Sequence, residues 1–173
     1  MAFSEATLGS RVTEIALAPL KQPELIPSVL PLVLGAAVIE LYFGKYKHEE
    51  LGWNTSVGNA IIWVSTGVSL FMTERVLEGL EELAAGFLLA SGLLIGYMNF
   101  FHKWDESWAF KASSAGIVYP MAYVTVVVVK TSVPVEELTL KAGAAFVAGS
   151  IIFFHVVHMF ESPAQDDFAA RFN

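Results

Sequence analysis

Leu83-Ala84-Ala85-Gly86-Phe87-Leu88-Leu89-Ala90-Ser91-Gly92-Leu93-Leu94-Ile95-Gly96-Tyr97-Met98-Asn99-Phe100-Phe101 is the stretch that decides the fold. It contains no Asp, Glu, Lys or Arg, and as a helix it is long enough to cross a hydrocarbon core, which takes about 17–25 residues. A buried helix of a water-soluble protein rarely runs so far without a charge. Four further stretches repeat the pattern: Ile26–Phe43, Val57–Thr73, Ala112–Val129 and Ala142–Phe160. Only the first of these holds a charge, Glu40, one turn from its end, where a carboxylate reaches toward the headgroups. Five such runs in 173 residues leave no amphipathic helices to cover them in water. The expected fold is all-α: a polytopic, multi-pass integral membrane protein, with 1–173 forming one membrane domain built as a five-transmembrane-helix bundle.

Composition points the same way. The chain is 55% hydrophobic and 16% charged, against about 45–50% and about 25% in soluble domains. With no cysteine it has no disulfides, iron–sulfur clusters or cysteine nucleophiles. Ten Lys and Arg against 17 Asp and Glu give a net charge of −7, which argues against a nucleic-acid partner.

The fourth span tests this reading, because Val124-Thr125-Val126-Val127-Val128-Val129 is β-branched throughout and by propensity resembles a buried strand. In lipid an open strand edge leaves backbone groups unsatisfied, and no other span alternates as a barrel requires, so helix is expected. Pro120 should kink that helix and free a carbonyl near Gly116. The N-terminus lacks the basic start and continuous apolar run of a signal peptide. It predicts a short amphipathic helix over residues 4–18, with Ser4 as N-cap, Leu8, Val12 and Ile15 on one face, and Pro19 ending it. That helix either lies in the membrane interface or packs on a partner. Residues 161–173 form an acidic tail.

Five crossings put the termini on opposite faces, here A (N-terminal) and B (C-terminal). Lys and Arg divide equally between them, so the positive-inside rule assigns no orientation. Histidines do not divide equally: His48, His102, His155 and His158 all belong to face B, with most of the aromatic residues. Glu78, Glu81 and Glu82 precede or open the third helix, where carboxylates favour the positive end of the dipole.

Because lipid is as apolar as a helix face, only small and polar residues reveal which faces meet protein. Gly92, Gly96 and Asn99 mark one such stripe, and Ala144 and Ala148, followed by His155 and His158, mark another. Asn59, Thr66 and Ser69, with Pro120 opposite, outline a third feature, a polar path. These stripes serve a tight bundle or a homo-oligomer equally well.

Chemistry rests on few residues. His155 and His158, spaced i,i+3 on one helix, with His102 at the same depth, have the donor set for a metal, and a histidine from each of two helices suits axial haem ligation. No complete metalloenzyme or hydrolase motif accompanies them. The sequence therefore reads first as a non-catalytic structural or anchoring subunit of a larger membrane assembly, in contact with the lipid bilayer and with copies of itself or other membrane subunits. Two alternatives remain: an oligomeric channel or carrier for small ions or solutes, and a metal- or haem-dependent membrane oxidoreductase with its histidine site at face B.

Overall fold

The computed structural model describes residues 7–45, 52–72, 77, 79–131 and 133–160, and among them the chain is all-helical, with no strands. Helix α1 spans Leu8–Lys21; α2, Ile26–Lys45, follows a single 3-10 turn at Pro23–Leu25. Then come α3 (Trp53–Phe71), α4 (Leu80–Phe100), the short α5 (Glu106–Ala112), α6 (Ala115–Lys130) and α7 (Glu137–Phe160). Ser4, His48 and the acidic tail lie outside the described residues.

Helix α6 is the axis of the bundle. Helices α2, α3, α4 and α7 all pack on it, and α1 touches it. Val126, Val127, Val128 and Val129 are buried in this role. The valine run is thus helical, as expected: stiff β-branched side chains lose little freedom on burial, and no strand partner is offered. Against this axis α2 comes close enough that a Cβ at Gly35 would overlap the Tyr119 ring.

The tightest pair is α3 with α4. A Cβ at Gly92 would stand 2.8 Å from the Val64 backbone nitrogen, and one at Gly67 would stand 2.7 Å from Leu89 Cβ. Each helix therefore gives the other a glycine notch, the close backbone approach that small residues permit. The Gly92–Gly96–Asn99 stripe is thereby used within the chain. Ala144 and Ala148 differ: both are exposed on α7, whose buried residues are Thr139, Ala142 and Gly143, all near its N-terminal end.

Three boundaries depart from the sequence reading. Helix α1 begins at Leu8, because Thr7 and Ser10 form a reciprocal capping box, and it continues through Pro19 to Lys21. Proline there removes the N–H that would bond Ile15 O. The Tyr123 hydroxyl replaces it, donating to Ile15 O at 3.2 Å and to Ala16 O at 3.1 Å. Buried Arg11 adds a second tie, 2.7 Å from Glu136 Oε1 and 3.1 Å from Glu14 Oε2. So α1 packs on its own bundle rather than lying free of it. The fourth apolar stretch is also not one helix: Ala112 closes α5, and the chain breaks at Ser113–Ser114 before α6 begins. Serine's modest helix propensity favours a break here, and the Asn59 and Asn99 amides hold it, donating to Ser113 O and Ser113 Oγ.

The third departure concerns α3. Among the described residues four stretches are long and apolar enough to cross a membrane: Pro23–Leu41, Leu80–Phe100, Glu106–Lys130 and Glu137–Phe160. Helix α3 is not one of them. It has no charge, but Asn54, Thr55, Ser56, Asn59, Ser65, Thr66 and Ser69 dilute its apolar content. These polar residues fall on two faces. Ser56 and Asn59 are buried toward the bundle, while Ser65 and Ser69 are exposed with Gly58.

Large apolar side chains cover the outside. Val38, Leu83, Phe87, Leu94, Ile152 and Phe153 are each more than half exposed, whereas Asn59, Asn99 and Ser113 are 3%, 0% and 0% exposed. That arrangement inverts the usual water-facing pattern.

Candidate functional site

Two polar clusters form at the face-B end, on either side of the Ser113–Ser114 break. The first is a closed knot. Ser113 follows the end of α5, where a carbonyl loses its helical partner; the Asn59 amide donates to that carbonyl at 2.7 Å. The Asn99 amide donates to Ser113 Oγ, and Trp104 Nε1 donates to Asn99 Oδ1, both at 2.7 Å. A turn before Asn59, the Ser56 hydroxyl is buried without a hydrogen-bond partner. Nearby, Trp63 Nε1 donates to Val118 O at 2.7 Å, tying α3 to α6 above Pro120. Apart from Ser56, the buried side-chain groups of the knot are paired within the chain, which suits locking helices together more than moving solutes.

The second cluster lies between α2, α6 and α7, around a cavity of about 440 Å³ lined by Glu40, Lys111, Ser114, Gly116, His155 and His158, among others. The N-terminus of α6 organises it. Ser114 is the N-cap but makes no side-chain capping bond. Glu40, arriving from α2, stands over this N-terminus: a Cβ at Gly116 would lie 3.2 Å from its Oε1, so the carboxylate would have to give by a few tenths of an ångström to admit one. A negative group at this position meets the positive end of the α6 dipole.

His158 completes the corner. Its Nε2 is 2.7 Å from Glu40 O and 3.5 Å from Glu40 Oε2. A carbonyl only accepts, so Nε2 carries the proton and donates to Glu40 O. The longer carboxylate contact is electrostatic, beyond the 2.7–2.9 Å or so of a charge-assisted bond. Lys111 is exposed at the mouth, its Nζ 5.6 Å from the Trp108 ring centroid. His155 is exposed on α7.

The histidine set expected from the sequence is split. His155 and His158 share the cavity, whereas His102 lies outside its lining: it follows α4 with φ 49°, and its ring stacks on Trp53 at 4.1 Å. The Lys103 N–H bonds Met98 O at 2.8 Å and the His102 N–H bonds Asn99 O at 3.2 Å, a left-handed helix stop of the kind glycine usually makes. Among the described residues no three His, Cys, Asp or Glu side chains come together as a metal site. The polar path is also dispersed: Asn59 and Pro120 are buried, Thr66 is half-buried and Ser69 is exposed. Asn59 belongs to the knot, and Pro120 lines an apolar groove between α1, α2, α6 and α7.

The sequence places Glu40 near the headgroups and offers it no partner. The break at Ser113–Ser114 is the missing signal, because it creates the helix N-terminus beside which Glu40 stands. No protein-family model, curated protein or solved structure matches the chain.

Proposed function

We propose that this chain is an integral membrane protein with five crossings, α2, α3, α4, the α5–α6 pair and α7, and that it serves as a non-catalytic structural subunit of a membrane assembly. The outward apolar surface supports membrane insertion. Four candidate spans come from length and apolar content, and α3 joins them because the amide of its inward Asn59 is satisfied by its own bundle, Ser56 being the buried exception.

The observation that carries the assembly reading is the outward face of α3. Gly58, Ile61, Ser65, Val68 and Ser69 are all exposed there, and nothing lies within 4 Å of a Cβ at Gly58. A lipid-facing helix gains nothing from glycine and serine, whereas a helix that meets another helix gains close approach and hydroxyl bonding. The face is thus suited to a second copy of the chain or to another transmembrane helix. Homo-oligomers with two-fold symmetry are the commonest closed assemblies.

The chain has no cysteine, which makes the test direct. Gly58→Cys and Ser65→Cys variants are oxidised in the membrane, with Ile152→Cys on α7 as the control. Cross-linked dimers at both α3 positions but not at α7 support self-association, and a single heavier adduct supports a different partner. No adduct, together with a monodisperse monomer in mild detergent, overturns the reading.

A further inference from the structure

The cavity at the face-B end is built for more than holding Glu40. That carboxylate is drawn inward, Oε1 beside Gly116 at the α6 N-terminus and Oε2 3.5 Å from His158, with only 14% of the side chain exposed. What remains open is a set of donors from three elements: Lys111 at the end of α5, the Ser114 hydroxyl that caps nothing, and His155 on α7. All three suit an oxyanion. Lys111 follows the membrane-surface residue Trp108, whose ring its ammonium approaches, so the donors stand at headgroup depth.

The walls below them are apolar. Ile151 lines this cavity and also the upper end of a groove of about 640 Å³ between α4, α6 and α7. The groove runs down α7 past Ala148 and Ala144 to Leu140. Eleven residues of helix from Leu140 to Ile151 span roughly 16 Å, about half of a 30 Å hydrocarbon core. Both volumes fall in the range of small-molecule sites, about 300–1,000 Å³.

We infer that this site binds an anionic phospholipid, its phosphate held by Lys111, Ser114 and His155 and one acyl chain lying in the α4–α6–α7 groove. Charge placement selects the head: the Lys111 ammonium is exposed at the mouth while the Glu40 carboxylate lies inward against His158, so an entering headgroup meets the cation first and a choline would face Lys111. Continuity with the groove selects a lipid over free phosphate. The exposed alanines then have a purpose, since at these positions larger side chains would fill the channel that the acyl chain needs.

This inference rests on the membrane reading above, and the two fail differently. The full chain in mild nonionic detergent is titrated with phosphatidylglycerol, phosphatidylcholine, diacylglycerol and glycerol 3-phosphate, and read by native mass spectrometry and thermal unfolding. Phosphatidylglycerol is expected to give a discrete one-to-one adduct and to raise the unfolding midpoint more than the other three. Lys111→Ala with His155→Ala should weaken that binding about tenfold or more, the scale of a lost hydrogen bond to a charged group. Ala148→Phe, which blocks the groove, should do the same, whereas Gly149→Phe, at a position lining the separate groove between α1, α2, α6 and α7, should not. All of these positions are exposed, and the unliganded midpoint reports whether each variant folds. Equal binding of phosphatidylcholine, insensitivity to the Lys111 and His155 changes, or glycerol 3-phosphate matching the lipid overturns the site. A chain that stays monodisperse without detergent overturns the membrane reading itself.

Discussion

Gly92 and Gly96 belong to one GxxxG motif, yet the structure gives them opposite responses to the same substitution. At Gly92 an added methyl meets Val64 N at 2.8 Å, Trp63 Cβ at 2.9 Å and Val64 Cγ2 at 3.0 Å. Carbon contacts are favourable at about 3.5–4.0 Å, so α3 and α4 must separate by roughly 0.5–1 Å. Overpacking of this kind costs about 1–3 kcal/mol. Alanine regains about 1 kcal/mol in helix propensity, leaving Gly92→Ala between neutral and about 2 kcal/mol destabilised. At Gly96 the methyl meets Ala60 Cβ at 3.6 Å, an ordinary contact. Gly96→Ala therefore keeps the propensity gain and is neutral to about 1 kcal/mol stabilised. The difference between the variants, in which propensity cancels, is about 1–3 kcal/mol. Unfolding in mild detergent, followed by tryptophan fluorescence, measures it, and Trp63 at the contact reports separation directly. Coincident transitions, or Gly96→Ala below Gly92→Ala, would refute the notch geometry.

Other consequences can be measured the same way. Asn99→Leu strands Ser113 Oγ and Trp104 Nε1 in the knot and should destabilise by about 1–3 kcal/mol in a denaturant titration, with Asn99→Asp no rescue because it places an unpaired charge in a fully buried position. Tyr123→Phe should cost about 1 kcal/mol and less in a Pro19→Ala background, where the restored N–H serves Ile15 O; a double-mutant cycle with no coupling would show that the hydroxyl does not answer the proline. Glu136→Gln loosens Arg11, and hydrogen exchange should rise across α1 while α3 and α4 stay protected. Glu40→Leu and Glu40→Gln both remove the negative charge at the α6 N-terminus and should each cost about 0.3–1 kcal/mol in the same titration.

Helical periodicity and freedom from charge made the long helices legible, because backbone satisfaction leaves a long apolar segment few other conformations. The Gly92–Gly96–Asn99 face was legible too, since small residues mark where backbones meet. The same logic did not place Ala144 and Ala148, because a small residue looks identical in sequence whether its neighbour is its own bundle, another chain or a lipid tail. Thr7 in place of Ser4 was a choice between nearby caps, decided by the reciprocal bonds with Ser10. Proline was overweighted at position 19, because a tyrosine more than a hundred residues away supplies the missing donor. His102 illustrates the limit for sites: membrane depth put it beside His155 and His158, but depth says nothing about azimuth, and the residue is turned toward Trp53 as a helix stop.

The position of α6 has a consequence for how the protein is made. Helix α2 draws most of its neighbours from a segment synthesised some seventy residues later, so on release from the ribosome it has almost nothing to lean on. The α3–α4 hairpin, by contrast, can zip as soon as it emerges. If the helices are inserted as proposed, biogenesis should then pass through a stage with a finished hairpin and a solitary α2 waiting in the bilayer, until the valine-rich axis arrives and gathers both. At that stage the lone α2 would be the segment most exposed to quality-control proteases and to insertion chaperones.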